Sequence, residues 1–291
     1  MLPNFLVIGV AKAGTTALHW YLAEHPEVFM SSAKDPSYFA YGVDGEGRLL
    51  WGEPEFHTFP VRSLAEYERL FADVGDAVAI GEASTMYLEC PQAARRIRKQ
   101  IPSAKIICSL RHPVERAYSN YVMWLRHRGR SFDPSRDLRL TADWARPDSR
   151  WMRVGRYHEQ LVRYFDVFPR EQIHVMLFDD LKRSELEATQ NVYRFVGVDH
   201  KFMPDFRTPH AIGGLPANRL LEEVLTNPVL RTAMRPLVPV RAANWVRRLR
   251  ARNLRKAPSL PPELRHDLTR HFRDDIARTS ALIGRSLEHW V

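Results

Sequence analysis

Cysteine is scarce. The 291 residues hold two, Cys90 and Cys108. They form no Cys-x-x-Cys pair, and two cysteines make no disulfide framework. A reducing compartment, and so a cytoplasmic protein, is the default reading. Long apolar runs are also missing. The longest near the N-terminus is Phe5–Val10, too short for a signal-peptide core or a membrane span. Acidic residues vanish from one stretch. Between Arg231 and Lys256 nine basic residues meet no Asp or Glu. The formal net charge is 43 − 34 = +9, so outside that stretch 34 basic residues balance 34 acidic ones. Apolar residues at 45% and charged residues at 26% exclude disorder, a collagen-like repeat and a coiled-coil rod.

The length suits one large domain or two small ones. Short Val- and Ile-rich runs read as buried strands: Phe5–Val10, Lys105–Leu110, Ile173–Phe178 and, more weakly, Ala77–Ile80. Helical patterns lie between them, which argues for a parallel α/β sheet. Val114, Ala117, Tyr118, Tyr121, Val122 and Leu125 recur at helical spacing, so a helix is expected from Val114 to Arg128. Pro113 suits its first turn. Further helices are expected over Tyr157–Phe168, Leu186–Val196, Ala217–Thr226, Ala242–Arg255 and Pro262–Ile283. The expectation is a single domain over 1–291. Its α/β core covers 1–200, and a loop and helical addition covers 201–291.

The first strand runs into Gly9-Val-Ala-Lys12-Ala13-Gly14-Thr15-Thr16, and a helical pattern follows. Strand, glycine loop and helix make an anion cradle: the glycines aim N–H groups inward, and the helix N-terminus adds positive field. A Walker A loop would place lysine after the second glycine. Here Lys12 sits inside the loop, and no strand ending in a magnesium-binding Asp is evident. A second motif, Arg111-His-Pro-Val-Glu-Arg116-Ala-Tyr-Ser119-Asn-Tyr121, follows the strand Lys105–Leu110. Arg111 falls at a strand's carboxyl end, where open α/β sheets bind ligands. Ser119 lies off the apolar stripe. A guanidinium and a hydroxyl near one point can clamp a phosphate. Two such places suit a ligand with two separated anionic groups.

This pair, GxxKxGTT and then RxPxxRxxSxY about a hundred residues on, resembles the sulfotransferases that use 3′-phosphoadenosine 5′-phosphosulfate (PAPS). The likeness is nearest to the Golgi carbohydrate group, the heparan sulfate N- and O-sulfotransferases, and their bacterial relatives. It spans roughly residues 4–200 and includes Lys34-Asp-Pro-Ser-Tyr-Phe39 and Gly81-Glu-Ala-Ser-Thr-Met-Tyr87. It implies a P-loop-type parallel sheet flanked by helices, with a helical C-terminal third. It implies PAPS as sulfuryl donor, no metal, and a sugar, glycolipid or polyketide-like hydroxyl as acceptor. Carried over by motif, Lys12, Ala13, Gly14, Thr15 and Thr16 hold the 5′ side, and Arg111 and Ser119 hold the 3′-phosphate. Arg207 is a further cofactor residue, from a loop at Arg207–Pro216 expected to close over the cofactor.

The acceptor hydroxyl needs a base. The family uses a Glu directly after a Lys; here Asp35 follows Lys34. Glu82 is the alternative base, and the lysine that follows it in several relatives is Ala83 here. Trp51, Phe56 and Phe59, within Leu49–Pro60, are candidates for the acceptor mouth. A P-loop kinase or NTPase is the competing function. A nucleic-acid binder is disfavoured, because no recognisable module is present. The basic segment reads as separate from the cofactor. Its helix, Ala242–Arg255, carries Trp245 among arginines, and either packs on the domain or lies on an anionic membrane.

Overall fold

The computed structural model describes residues 1–41, 61–207, 214–218, 220–222 and 252–291. The region Leu49–Pro60, most of the helix expected at Ala242–Arg255, and half of the one at Ala217–Thr226 lie outside them.

Five parallel strands form the sheet: β1 (Phe5–Gly9), β2 (Val28–Met30), β3 (Ala79–Ala83), β4 (Lys105–Leu110) and β5 (Ile173–Leu177). Their order is β2-β3-β1-β4-β5. Leu6 pairs with Glu82 on one side of β1, and Val7 pairs with Ile107 on the other. Side chains alternate across the sheet. Phe5 and Val7 therefore join one buried cluster, while Leu6 and Ile8 join the other. Burial on both faces is why β1 and β4 read as continuous apolar runs.

The longer helices are α1 (Thr15–Ala23), α2 (Ala93–Gln100), α3 (Pro113–His127), α4 (Tyr157–Phe165), α5 (Glu185–Val196), α6 (Pro262–Thr269) and α7 (Arg273–Ile283). In α3 the expected stripe is buried, and Arg116 is buried with it. The helix expected over Pro262–Ile283 is divided by a tight turn at Arg270–Phe272. Both halves feed the same core: Leu264, Leu268, Phe272 and Ile276 cluster with residues of α3 and α4. The Asp275 carboxylate accepts the N–H groups of Tyr157 (2.8 Å) and His158 (3.2 Å) at the start of α4. An anion there offsets the helix dipole.

Three expectations need correction. The third strand is Ala79–Ala83, not Ala77–Ile80, so Glu82 sits within it. It reads poorly because Gly81 and Glu82 interrupt the apolar run. β2 escaped notice because three residues carry no periodicity. Leu254–Arg255, the expected end of a helix, instead pairs antiparallel with Leu215–Pro216. Gly214 allows that approach: a Cβ there would lie 2.3 Å from the Arg255 carbonyl oxygen. Among the described residues no helix is long and apolar enough to cross a membrane.

Candidate active site

The strand order reverses direction at β1, with β3 on one side and β4 on the other. The crevice outside the carboxyl ends of such strands is where open α/β sheets bind ligands. The loops after β1 and β4 meet there. Arg111 Nη1 donates to the Lys12 carbonyl at 3.1 Å. Val10 N–H donates to Ser109 O at 2.7 Å, and Ser109 Oγ donates to Ala13 O at 2.6 Å. Gly14 stands as the N-cap of α1 at φ 84°. A Cβ on it would lie 2.6 Å from Leu181 Cδ1, so the turn needs glycine. No side chain caps α1, and its first turn holds no acid. Its N-terminal N–H groups are left for an external anion.

A cavity of about 510 Å³ opens at this point, a volume suited to a small ligand. Lys12, Arg111 and Ser119 line it together. Arg126, Lys256 and Arg265 line it as well, although the sequence did not single them out. Arg126 follows Ser119 and Met123 along one face of α3, a signal present in the spacing. Lys256 closes the basic segment. Its place on the cavity wall corrects the separation of that segment from the anion site. Arg265 comes from α6, and only tertiary packing brings it here.

Five cations thus share the walls with one carboxylate, Glu115. That carboxylate already meets Arg111 (3.4 Å), Arg265 (3.5 Å) and Lys182 (3.8 Å). The Lys12 ammonium donates to Met123 Sδ at 3.6 Å and has no carboxylate partner among the described residues. Burial lowers its pKa to about 8, helped by Arg126, Arg111, Lys34 and Arg116. Arg111 Nε is buried without a hydrogen-bond partner, while its guanidinium lies 4.9 Å above the Phe178 ring. Unpartnered buried donors and crowded like charges are costly. An anion with separated charged groups would relieve both, so these residues fit PAPS.

The remaining candidates are placed as follows. Thr15 and Thr16 open α1. Ala13 gives its N–H to Val10 O at 3.2 Å and its C=O to Ser109, so it shapes the loop. Arg207 is exposed, with its N–H on Asp205, and is not on the cavity wall. The adjacent Phe206 ring packs on Tyr21, in the second half of α1 and away from its N-terminus. Asp35 lies in the loop after β2 at φ 58°. Its Oδ1 accepts from Thr85 N–H (2.9 Å) and Thr85 Oγ1 (3.1 Å), and its Oδ2 meets Lys34 Nζ at 2.6 Å. Burial works to raise its pKa, but Lys34 and Thr85 outweigh that and hold it below the ordinary value. Its side chain stays 36% exposed.

Glu82 is wholly buried. It accepts from Tyr87 (2.5 Å), Ser84 (2.7 Å) and Tyr67 (3.1 Å). Burial nevertheless pushes its pKa up to about 7. It stands near the end of a strand, as expected, but the strand and three hydroxyls enclose it.

Fold and crevice define an α/β protein with a cation-lined cavity at a strand switch point. A family model described as "Sulfotransferase family" matches residues 3–202, and the chain belongs to that family. The Dictyostelium discoideum protein "Membrane-associated sulfotransferase kil1" is 23% identical over 309 residues, 78% of this chain and 62% of that one. The Homo sapiens "Bifunctional heparan sulfate N-deacetylase/N-sulfotransferase 2" is 28% identical over 216 residues, 68% of this chain and 22% of that one. A crystal structure of a sulfotransferase from Alicyclobacillus acidocaldarius superposes with a TM-score of 0.71 at 28% identity, covering 100% of this chain and 99% of that one. The chain spans less than two thirds of the length of these two curated relatives. Membership of that family implies PAPS as the sulfuryl donor. The kinase alternative falls, since the matched span contains both anion motifs.

Proposed function

We propose that the enzyme moves the sulfuryl group of PAPS to a hydroxyl of a carbohydrate, glycolipid or related small-molecule acceptor. One observation carries this reading: Lys12, Arg111 and Ser119 come from separate motifs and line one cavity. PAPS supplies the sulfuryl group and a phosphate leaving group. The α1 N-terminus and Lys12 hold the 5′ side, and Lys12 offsets charge that develops on the leaving oxygen. Arg111 and Ser119 hold the 3′-phosphate. In-line transfer asks mainly for positioning and charge stabilisation.

Asp35 is the base. A carboxylate offers about four lone-pair sites. Thr85 fills both on Oδ1, and Lys34 fills one on Oδ2. One site remains on a partly exposed group to accept the acceptor's proton. Lys12 feels the Lys34 charge, which supports a Lys34–Asp35 pair within electrostatic reach of the sulfuryl end, although neither residue lines the cavity.

The test is incubation with labelled PAPS and a panel of carbohydrate and lipid alcohols, beside calorimetry with adenosine 3′,5′-bisphosphate. Transfer and tight bisphosphate binding are expected. Absence of both overturns the reading. The kil1 relative is named for membrane association. With the basic segment, that supports peripheral contact with anionic membrane. Co-sedimentation with phosphatidylserine vesicles, lost when the arginines of 241–252 are neutralised, checks it.

A further inference from the structure

We infer that Arg126 is a second catalytic cation, placed beside Lys12 to meet the sulfuryl group in transfer. The inference rests on the PAPS reading above and adds a residue that neither anion motif contains.

Helix α3 runs along the cavity and presents Ser119, Val122, Met123 and Arg126 to it. These are i, i+3, i+4 and i+7, one face of a helix. At 1.5 Å per residue, Ser119 and Arg126 stand about 10 Å apart along the axis. Ser119 marks the 3′-phosphate end. Met123, one turn on, touches the Lys12 ammonium at 3.6 Å. Arg126, a further turn on, lies past Lys12 on the side away from Ser119. Among the charges acting on Lys12, that of Arg126 weighs most, ahead of Arg111. Two buried cations side by side repel unless an anion comes between them.

Arg126 lies 4.0 Å from Glu222, and both side chains are nearly buried, 11% and 7% exposed. In transfer, the bond from acceptor oxygen to sulfur forms as the bond from sulfur to the bridging oxygen breaks. The electron pair stays on the bridging oxygen, beside Lys12. The acceptor's proton goes to Asp35. The three equatorial sulfuryl oxygens carry charge throughout, and Arg126 is placed to hold them in line. Lys12 and Arg126 thereby divide the work between leaving oxygen and sulfuryl oxygens.

The test compares two ligands that differ by the sulfuryl group. Calorimetry, without acceptor, measures PAPS and adenosine 3′,5′-bisphosphate on wild type, Arg126→Met, Arg126→Lys and Glu222→Gln. For Arg126→Met, bisphosphate affinity stays within about twofold, PAPS affinity falls at least about fivefold, and kcat falls at least about tenfold. Arg126→Lys recovers part of both losses. Glu222→Gln, which keeps the cation and removes its counter-charge, binds PAPS at least as tightly as wild type. The inference is overturned if Arg126→Met loses both ligands equally, or keeps wild-type PAPS affinity and kcat. It is also overturned if Glu222→Gln loses PAPS binding, which would make the pair a structural bridge. A wild type that binds neither ligand would sink the PAPS reading itself, a result distinct from all of these.

Discussion

Asp35 lies close enough for Glu82 to feel its charge, yet their surroundings drive the two carboxyls apart. Asp35 sits in a loop beyond the sheet, with an ammonium at 2.6 Å, and is held ionised. Glu82 sits within β3, with only hydroxyls for partners, and is held at about 7. Three hydroxyls supply as many hydrogen bonds as Thr85 and Lys34 do, but no net charge. Hydrogen bonds alone do not restore what a buried carboxylate loses with its water; a counter-ion does. The difference assigns the roles. The partly exposed, ionised group can take a proton from a substrate, while the enclosed one ties β3 to Tyr67 and Tyr87.

The largest effect expected from this contrast is on turnover. Asp35→Asn should lower kcat by about 10²- to 10⁴-fold, the usual range for losing a general base, with bisphosphate affinity retained in calorimetry. Wild-type kcat in that variant would erase the functional half of the comparison. Glu82→Gln should instead leave kcat within about twofold and change the pH dependence of stability. A carboxyl whose folded pKa is raised stabilises the fold below its unfolded pKa, and that stability is lost as pH rises through the folded one. The window is therefore 4.5 to about 7. Over it, wild type should lose roughly 3 kcal/mol relative to Glu82→Gln. Parallel urea-melt stabilities across that window would show Glu82 to be unperturbed.

Smaller effects sharpen the contrast. Lys34→Met removes the counter-ion, so the Asp35 pKa should rise toward that of Glu82. The acid limb of kcat/KM then moves to higher pH, and an unmoved limb would mean that Lys34 does not tune the base. Lys12 supplies the basic limb. Its pKa is lowered to about 8, so its charge is present below that value and lost above it. The kcat/KM for donor should decline above pH 8 in the free enzyme, and a flat profile to pH 9.5 would contradict the burial of Lys12.

Much of the site was legible beforehand because its parts are local. Gly14, Lys12 and Thr15 form one continuous turn, and Arg111 and Ser119 sit on one helix entry; spacing alone states such things. Long strands buried on both faces were legible for the same reason. The illegible parts depend on residues far apart in sequence. Arg265 and Lys256 reach the cavity only because α6 and the Leu254–Arg255 bridge pack over α3. The burial of Glu82 was illegible because its enclosing hydroxyls, Tyr67 and Tyr87, come from other elements. The place of Arg207 off the cavity wall was equally illegible, because it follows from the packing of Phe206 on Tyr21, toward the far end of α1.

The sequence by itself determined the α/β order, the two anion-binding turns and the presence of a carboxylate after Lys34. These follow from periodicity and turn chemistry, which act over a few residues. The tertiary structure alone decided which carboxylate is ionised, which cations share the cavity and where the basic segment's last lysine points. Solvation and electrostatics act through space, and their outcome depends on neighbours that the order of residues does not disclose.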